Sequence, residues 1–166
     1  MGDVKHVGEL VDGPPSTFER FYARERLPMV RVAYLITRSR PLAEEVVQDA
    51  FVAVLERWEA VDSSGGYLRQ TVVRAAVAIR NRSRRGRALE RAAHDSRPSE
   101  PGIDEMRAAL GGLPPRQRAA LVLRFYCDLP HEDIAAVLSC TVATARSLTH
   151  RGLTTLRKDM DRWTRP

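Results

Sequence analysis

The stretch that decides the fold runs from Leu113-Pro-Pro-Arg-Gln-Arg-Ala-Ala-Leu-Val-Leu-Arg-Phe-Tyr126 through Asp128-Leu-Pro130, His131-Glu-Asp-Ile-Ala-Ala-Val-Leu138 and Ser139-Cys-Thr-Val142 to Arg157. Pro115 suits the first turn of a helix, and a helix over 115–126 places Ala119, Ala120 and Leu123 inside, with Cys127 at the margin of that face. A short helix over 130–138 carries Glu132 and Asp133 in its first turn, where carboxylates suit the helix dipole, and turns Ile134, Ala135 and Leu138 inward. Thr141 or Thr144 is placed to cap a long last helix over 141–160. A short helix, a tight turn and a long helix form the helix-turn-helix pattern, with Ala135 small enough for the helices to cross closely. On a wheel of about 100° per residue, Val142, Ala145, Thr149, Gly152, Leu153 and Leu156 face the core. Ala143, Thr144, Ser147, His150, Arg151 and Thr154 face out. Residues 141–157 contain no acid, which suits a helix lying against phosphates in a major groove. A plain three-helix bundle is the competing reading, and the short helix, the turn and the acid-free face together favour the helix-turn-helix.

Moving toward the N-terminus, Gly111-Gly-Leu-Pro-Pro115 separates this unit from a helix expected over 104–111. The polar stretch His94–Gly102 holds two Pro and reads as a linker. Upstream of it the apolar spacing predicts helices over 16–26, 28–38, 41–60 and 65–90. No alternating β-branched run long enough for a sheet occurs. The expected fold class is all-α: two small helical domains joined by a flexible linker, the C-terminal one a helix-turn-helix domain. The expected divisions are a flexible N-terminus over 1–15, an N-terminal domain over 16–91, the linker over 92–103 and a C-terminal domain over 104–160.

Charge is distributed unevenly between neighbouring helices. Residues 42–62 carry Glu44, Glu45, Asp49, Glu56, Glu59 and Asp62 against Arg57 alone. On the wheel Val47, Phe51, Val54, Leu55 and Trp58 form a core-facing stripe. Glu45, Gln48, Asp49, Glu56 and Glu59 lie opposite, with Val52 in their midst. That face fits a solvated surface with one stray valine, and it also fits a docking face for a basic partner with Val52 as its apolar centre. The next helix carries the apolar stripe Leu68, Val72, Ala75/Ala76, Ile79 and ends in Arg80, Arg82, Arg84, Arg85 and Arg87. Cations suit a helix C-terminus, but five in eight residues exceed what capping needs. The stripe is mostly Val and Ala, poor in the large apolar groups a membrane-lying helix uses, so nucleic acid is the better partner.

The remaining composition excludes several classes. The chain of 166 residues has net charge +6, which favours a polyanionic partner. Of its 27 cations, 25 are Arg, the better fork for phosphate and guanine, although a GC-rich genome also writes Arg codons. Two cysteines and four scattered histidines give neither a disulfide framework nor a metal cluster, so no metal or other cofactor is expected. No apolar run approaches a membrane span, and the first residues lack the apolar segment of a signal peptide. A cytoplasmic, nucleoid-associated protein with no membrane partner is expected. Gly-rich phosphate loops and Ser/His/Asp or Cys/His arrangements are missing, so neither an enzyme nor a small-molecule substrate is expected.

Two segments resemble the extracytoplasmic-function (ECF) type sigma factors of bacterial RNA polymerase. Leu42-Ala-Glu-Glu-Val-Val-Gln-Asp-Ala-Phe-Val-Ala-Val-Leu-Glu-Arg-Trp58 resembles the family's helix that docks on the clamp of the largest polymerase subunit. Leu113–Tyr126 with Ile134–Leu138 and Cys140–Ser147 resembles its C-terminal promoter-reading domain. The resemblance covers residues 16–160, and it implies partners: core RNA polymerase, promoter DNA and, as a candidate, an anti-sigma protein. It implies polymerase binding by Glu45, Gln48, Asp49 and Val52. It implies engagement of the promoter −10 element by the loop 61–66 and the helix from Tyr67, with Arg69, Gln70, Arg74, Arg80, Arg82 and Arg84. It implies −35 reading by Arg146, Ser147, His150 and Arg151, with Thr144 beside them.

This chain also departs from the family pattern. Leu148-Thr149 stands where the family often has Arg-Leu, so an apolar group replaces a usual phosphate contact. Thr149 puts a hydroxyl on the buried face, where it can bond a carbonyl one turn earlier. Arg74 and Ala78 stand where Asn and Asp are common. The expected function is a polymerase specificity subunit, a sigma factor directing promoter-specific initiation; the alternative is a stand-alone helix-turn-helix DNA-binding regulator, which has no use for the acidic face. With two small domains on a flexible linker, the free chain is expected to bind promoter duplex weakly.

Overall fold

Apolar residues at helical spacing dominate every segment that the structure, a computed structural model, describes: residues 17–60, 63–85 and 100–164. Seven α-helices and no strand occur among the described residues: α1 (Thr17–Thr37), α2 (Arg40–Glu56), α3 (Ser64–Arg85), α4 (Pro101–Ala109), α5 (Pro115–Leu121), α6 (His131–Leu138) and α7 (Val142–Thr164). The all-α class is as expected. The expected N-terminus over 1–15 and most of the expected linker lie outside the described residues. Where the linker is described, Pro101–Ile103 already form the first turn of α4.

The two helices expected over 16–26 and 28–38 are one helix, Thr17–Thr37, which runs unbroken through Pro28. An interior proline costs about 3 kcal/mol in a helix. Here Phe21 before it and Met29, Val30, Val32 and Ala33 after it are all buried in one core, which holds the helix through the defect. The helix expected over 41–60 ends at Glu56, where Arg57 N–H turns back to the Val54 carbonyl. Leu55, expected in the core, is 54% exposed and stands out with Val52 at 53%. After α5 the chain widens into a π-helical turn, Val122–Tyr126, before Asp128 enters the left-handed region and the chain turns.

Helices α1, α2 and α3 pack mutually, and α7 packs on α5 and α6. The two sets share one continuous apolar core, because α4 and α5 lie on α1 while α5 and α6 lie on α3. Arg118 of α5 sits at this junction, 2% exposed. It donates from Nη1 to the Ile36 carbonyl at the end of α1 (2.7 Å) and from Nε to Leu110 O (3.0 Å). Its Nη2 donates to Leu113 O (2.9 Å) and Gly111 O (3.2 Å). A polar seam continues along α1. Tyr34 Oη donates to Asp104 (2.7 Å), Arg31 pairs with Glu100 (2.8 Å), and burial followed by the Asp104 bond raises the Tyr34 pKa.

The helix-turn-helix closes as expected. Thr141, not Thr144, caps α7, its Oγ1 accepting from Thr144 N–H at 3.1 Å. Ser139 ends α6 at φ 50°, a left-handed position where a side chain costs about 1–2 kcal/mol and glycine costs nothing comparable. Ser139→Gly is therefore expected to stabilise the chain by up to about 1 kcal/mol, seen as a higher midpoint in thermal unfolding. A lower midpoint would mean that the turn is held by the Ser139 side chain.

Candidate nucleic-acid interface

The outer face of α2 is built by its own periodicity. Ala43, Val46, Val47, Ala50, Phe51 and Val54 are buried, which leaves Glu45, Gln48, Asp49, Val52, Leu55 and Glu56 exposed, with Glu59 exposed in the turn just beyond. Leu55 is the member of this surface that the sequence reading missed. It lies at the boundary of the wheel's apolar arc, and only the termination of α2 one residue later, with no helix covering it, leaves it outside. The exposed surface is thus two apolar side chains ringed by acids.

On α3, Leu68, Val72, Val73 and Ala76 are fully buried. Tyr67 is half-buried with the Arg57 guanidinium 5.9 Å above its ring. Arg69 is half-buried, and its positive charge partly offsets the rise that burial imposes on the Cys127 thiol pKa. Gln70 and Arg74 reach α6: Gln70 Nε2 donates to Ala136 O at 3.0 Å, Arg74 Nε to Val137 O at 3.0 Å, and Arg74 Nη2 to Ala136 O at 3.3 Å. Arg80 is half-buried and Arg82 exposed, while Arg84 lies in the last turn of α3 with its side chain outside the described residues. The α3 set is therefore brought onto one helix, but Gln70 and Arg74 are engaged by the other half of the chain.

On α7, Ala145, Thr149 and Gly152 are buried. Thr149 Oγ1 donates to the Ala145 carbonyl at 3.0 Å, the back-bond expected of a hydroxyl at this position. Thr144, Arg146, His150 and Arg151 are exposed and Ser147 is half-buried, so the candidate −35 residues lie on the solvent side of the last helix. The Arg146 guanidinium stands 3.8 Å from Glu132 at the start of α6, both side chains well exposed. Leu148 is half-buried and packs against the core, so its side chain does not stand free on the outer face of α7.

Leu153, expected in the core, packs against it half-buried, and with Leu156, also half-buried, it lines an apolar groove of about 220 Å³ together with Met106, Leu121, Val122 and Phe125. Phe125 is 62% exposed at its mouth. The wheel of α7 alone could not distinguish a groove wall from a core wall. No group of three or more His, Cys, Asp or Glu residues suited to a metal occurs among the described residues, and no described helix is long and apolar enough to cross a membrane.

A helix-turn-helix with an acid-free outer face, joined to a three-helix unit that carries one acidic and one basic helix, defines a two-part helical transcription protein. The family model Sigma-70 region 2 matches residues 21–87, and Sigma-70, region 4 matches residues 103–156. The chain belongs to the sigma-70 family and is an RNA polymerase sigma factor of the ECF type, which binds core polymerase and promoter DNA and directs promoter-specific initiation. It is 27% identical to the RNA polymerase sigma-E factor of Streptomyces coelicolor, over 93% of this chain and 89% of that protein. It is 33% identical to the ECF RNA polymerase sigma factor SigE of Mycolicibacterium smegmatis, over 76% of this chain and 55% of that protein. In fold it is similar to the sigma factor RpoE of Bartonella quintana, solved in complex with the anti-sigma factor NepR, with a TM-score of 0.66 at 21% identity over 86% of this chain and 97% of that one. Sigma factors as a class are specificity subunits and not enzymes. The region 2 match covers the half that a stand-alone helix-turn-helix regulator would not need.

Proposed function

We propose that three surfaces divide the work of initiation. The outer face of α2, with Glu45, Gln48, Asp49, Val52 and Leu55, docks on basic helices of the polymerase clamp. The segment 61–66, expected as a loop but helical from Ser64 where α3 begins, and α3 itself, through Tyr67, Arg69, Gln70, Arg74, Arg80, Arg82 and Arg84, engage the −10 element. The outer face of α7, with Thr144, Arg146, Ser147, His150 and Arg151, reads the −35 element. The chain itself carries no catalytic activity and works in the cytoplasm on the nucleoid. An anti-sigma protein is a further proposed partner, supported by the complex that the Bartonella relative forms.

The observation that carries this reading is the segregation of charge. The outer face of α2 carries acids around two exposed apolar side chains, whereas α7 has no acid from Val142 to Arg157. The first suits a protein partner rich in cations, the second a polyanion.

The test is made on the −35 surface. An Arg that reads guanine by two hydrogen bonds contributes ~1–3 kcal/mol of discrimination. Arg146→Ala or Arg151→Ala is expected to lower transcription from a −35-dependent promoter about tenfold or more, with core-polymerase binding intact. If the lost contact reads a base, preference relaxes at one promoter position. If it holds a phosphate, all promoters weaken alike and the salt slope falls by about one. Normal transcription by both variants would remove α7 from the −35 role.

A further inference from the structure

We propose that Arg57, just past the end of α2, is a nucleic-acid contact: with Tyr67 of α3 it forms a cation–aromatic platform that takes an unpaired base and its phosphate in the promoter −10 element. The inference rests on the assignment of Tyr67 to the −10 element made above.

Charge singles Arg57 out. It is the one cation between Leu42 and Ala60, in a segment that otherwise carries Glu44, Glu45, Asp49, Glu56 and Glu59. A surface suited to a basic clamp has no use for a cation, and Arg57 is turned off that surface. Helix α2 ends at Glu56, and the Arg57 guanidinium lies over the Tyr67 ring, 5.9 Å from its centroid and within cation–π range. A cation after a helix end also suits the helix dipole. The dipole asks only for positive charge near the last carbonyls; it does not ask for a ring of the neighbouring helix beneath that charge.

The pair is held on a fixed frame. Trp58, next in the chain, packs edge-on against Phe18 with ring centroids 5.2 Å apart, and lies 5.2 Å from the Phe21 ring. The turn after α2 closes through Trp58 N–H to Leu55 O (3.2 Å) and Ala60 N–H to Arg57 O (2.9 Å). On the other side, Tyr67 N–H donates to Ser63 O at 3.0 Å and fixes the first turn of α3. Tyr67 is half-buried and Arg57 exposed. The ring takes none of the guanidinium N–H groups in a conventional hydrogen bond, so the fork stays open to a phosphate oxygen or a base edge. A guanidinium plane and an aromatic ring each offer a face on which an unpaired base stacks, whatever its sequence. Further along α3 comes the exposed Arg82, so the platform stands at the head of a basic helix, the combination of ring and cation that single-stranded nucleic acid requires.

The experiment uses holoenzyme reconstituted from core polymerase and the full chain carrying Arg57→Gln, Arg57→Lys or Tyr67→Ala. The probe is a labelled single strand with the −10 sequence of a promoter that the wild-type holoenzyme transcribes. Fluorescence anisotropy reads its binding across a salt series, and co-purification reads core binding. All three variants are expected to keep core polymerase and their far-ultraviolet circular dichroism. Arg57→Gln is expected to bind the strand several-fold more weakly, with a salt slope smaller by about 0.7, the share of one phosphate contact on a single strand. Arg57→Lys is expected to restore the slope but only part of the affinity, because an ammonium carries the charge without the planar fork. Replacing a cation that only closes α2 would leave the slope unchanged. Wild-type affinity and slope in Arg57→Gln, beside a weakened Tyr67→Ala, would overturn the role of Arg57 and leave the −10 assignment standing. Wild-type binding by Arg57→Gln and Tyr67→Ala alike would remove both. Loss of core polymerase by a folded Arg57→Gln would put the residue on the docking surface and overturn the platform.

Discussion

Replacing Gln48 and Asp49 together by Lys is expected to abolish association of the chain with core polymerase. The two changes shift the charge of the α2 outer face by +3 at its acidic centre. Both positions are exposed and neither side chain enters the core, so the fold should lose no more than about 0.5 kcal/mol, as for most surface substitutions. At an interface with a basic helix the same change sets like charges together, at a cost of several kcal/mol. A loss of ~4 kcal/mol lowers affinity roughly a thousandfold, below what co-purification retains. Val52→Ala and Leu55→Ala together probe the apolar centre of that face and should weaken binding without reversing any charge. Unchanged co-purification of a folded Gln48→Lys/Asp49→Lys variant would remove α2 from the docking role.

Arg118→Met is expected to be the most destabilising single substitution of a charged residue in the chain. The guanidinium is 2% exposed and supplies hydrogens to the carbonyls of Ile36, Leu110, Gly111 and Leu113. Methionine fills much of the volume and supplies none of the donors. Each buried acceptor left without a partner costs about 1–3 kcal/mol. With partial relaxation a total of about 3–5 kcal/mol is expected, comparable to much of the stability of a small domain. Arg116→Met is the matched control. Its side chain is exposed and makes a single part-buried bond, to Leu138 O, so the loss should stay at about 1–2 kcal/mol. Equal losses in denaturant unfolding would show that Arg118 is not the keystone of the junction.

The sequence by itself determined the elements and the chemistry of their faces. The helix-turn-helix, its short α6 and capped α7 were legible because local signals agree there: Pro115, the acids of the first turn of α6, and the apolar spacing through Ala145 and Thr149. The acidic face of α2 and the basic end of α3 were legible because charge is read off directly, and the departure at Thr149 behaved as its hydroxyl requires. The boundaries and the fate of individual apolar residues were not. Pro28 carries a local signal to break a helix, yet burial on both sides of it outweighs that signal and keeps α1 whole. Leu55, Leu153 and Leu156 lie on apolar arcs, but only the presence or absence of a covering neighbour decides between core, groove and exposed patch. Above all, the two halves share one core. Arg118 reads in sequence as one basic residue among 25 arginines, and Gln70 and Arg74 as DNA-facing polar groups. Gln70 and Arg74, and Arg118 through its bond to Ile36, reach backbone carbonyls more than 60 residues away in the chain. A carbonyl has the same chemistry in every residue and leaves no mark in the sequence, so only the tertiary structure could decide that these side chains hold the halves together.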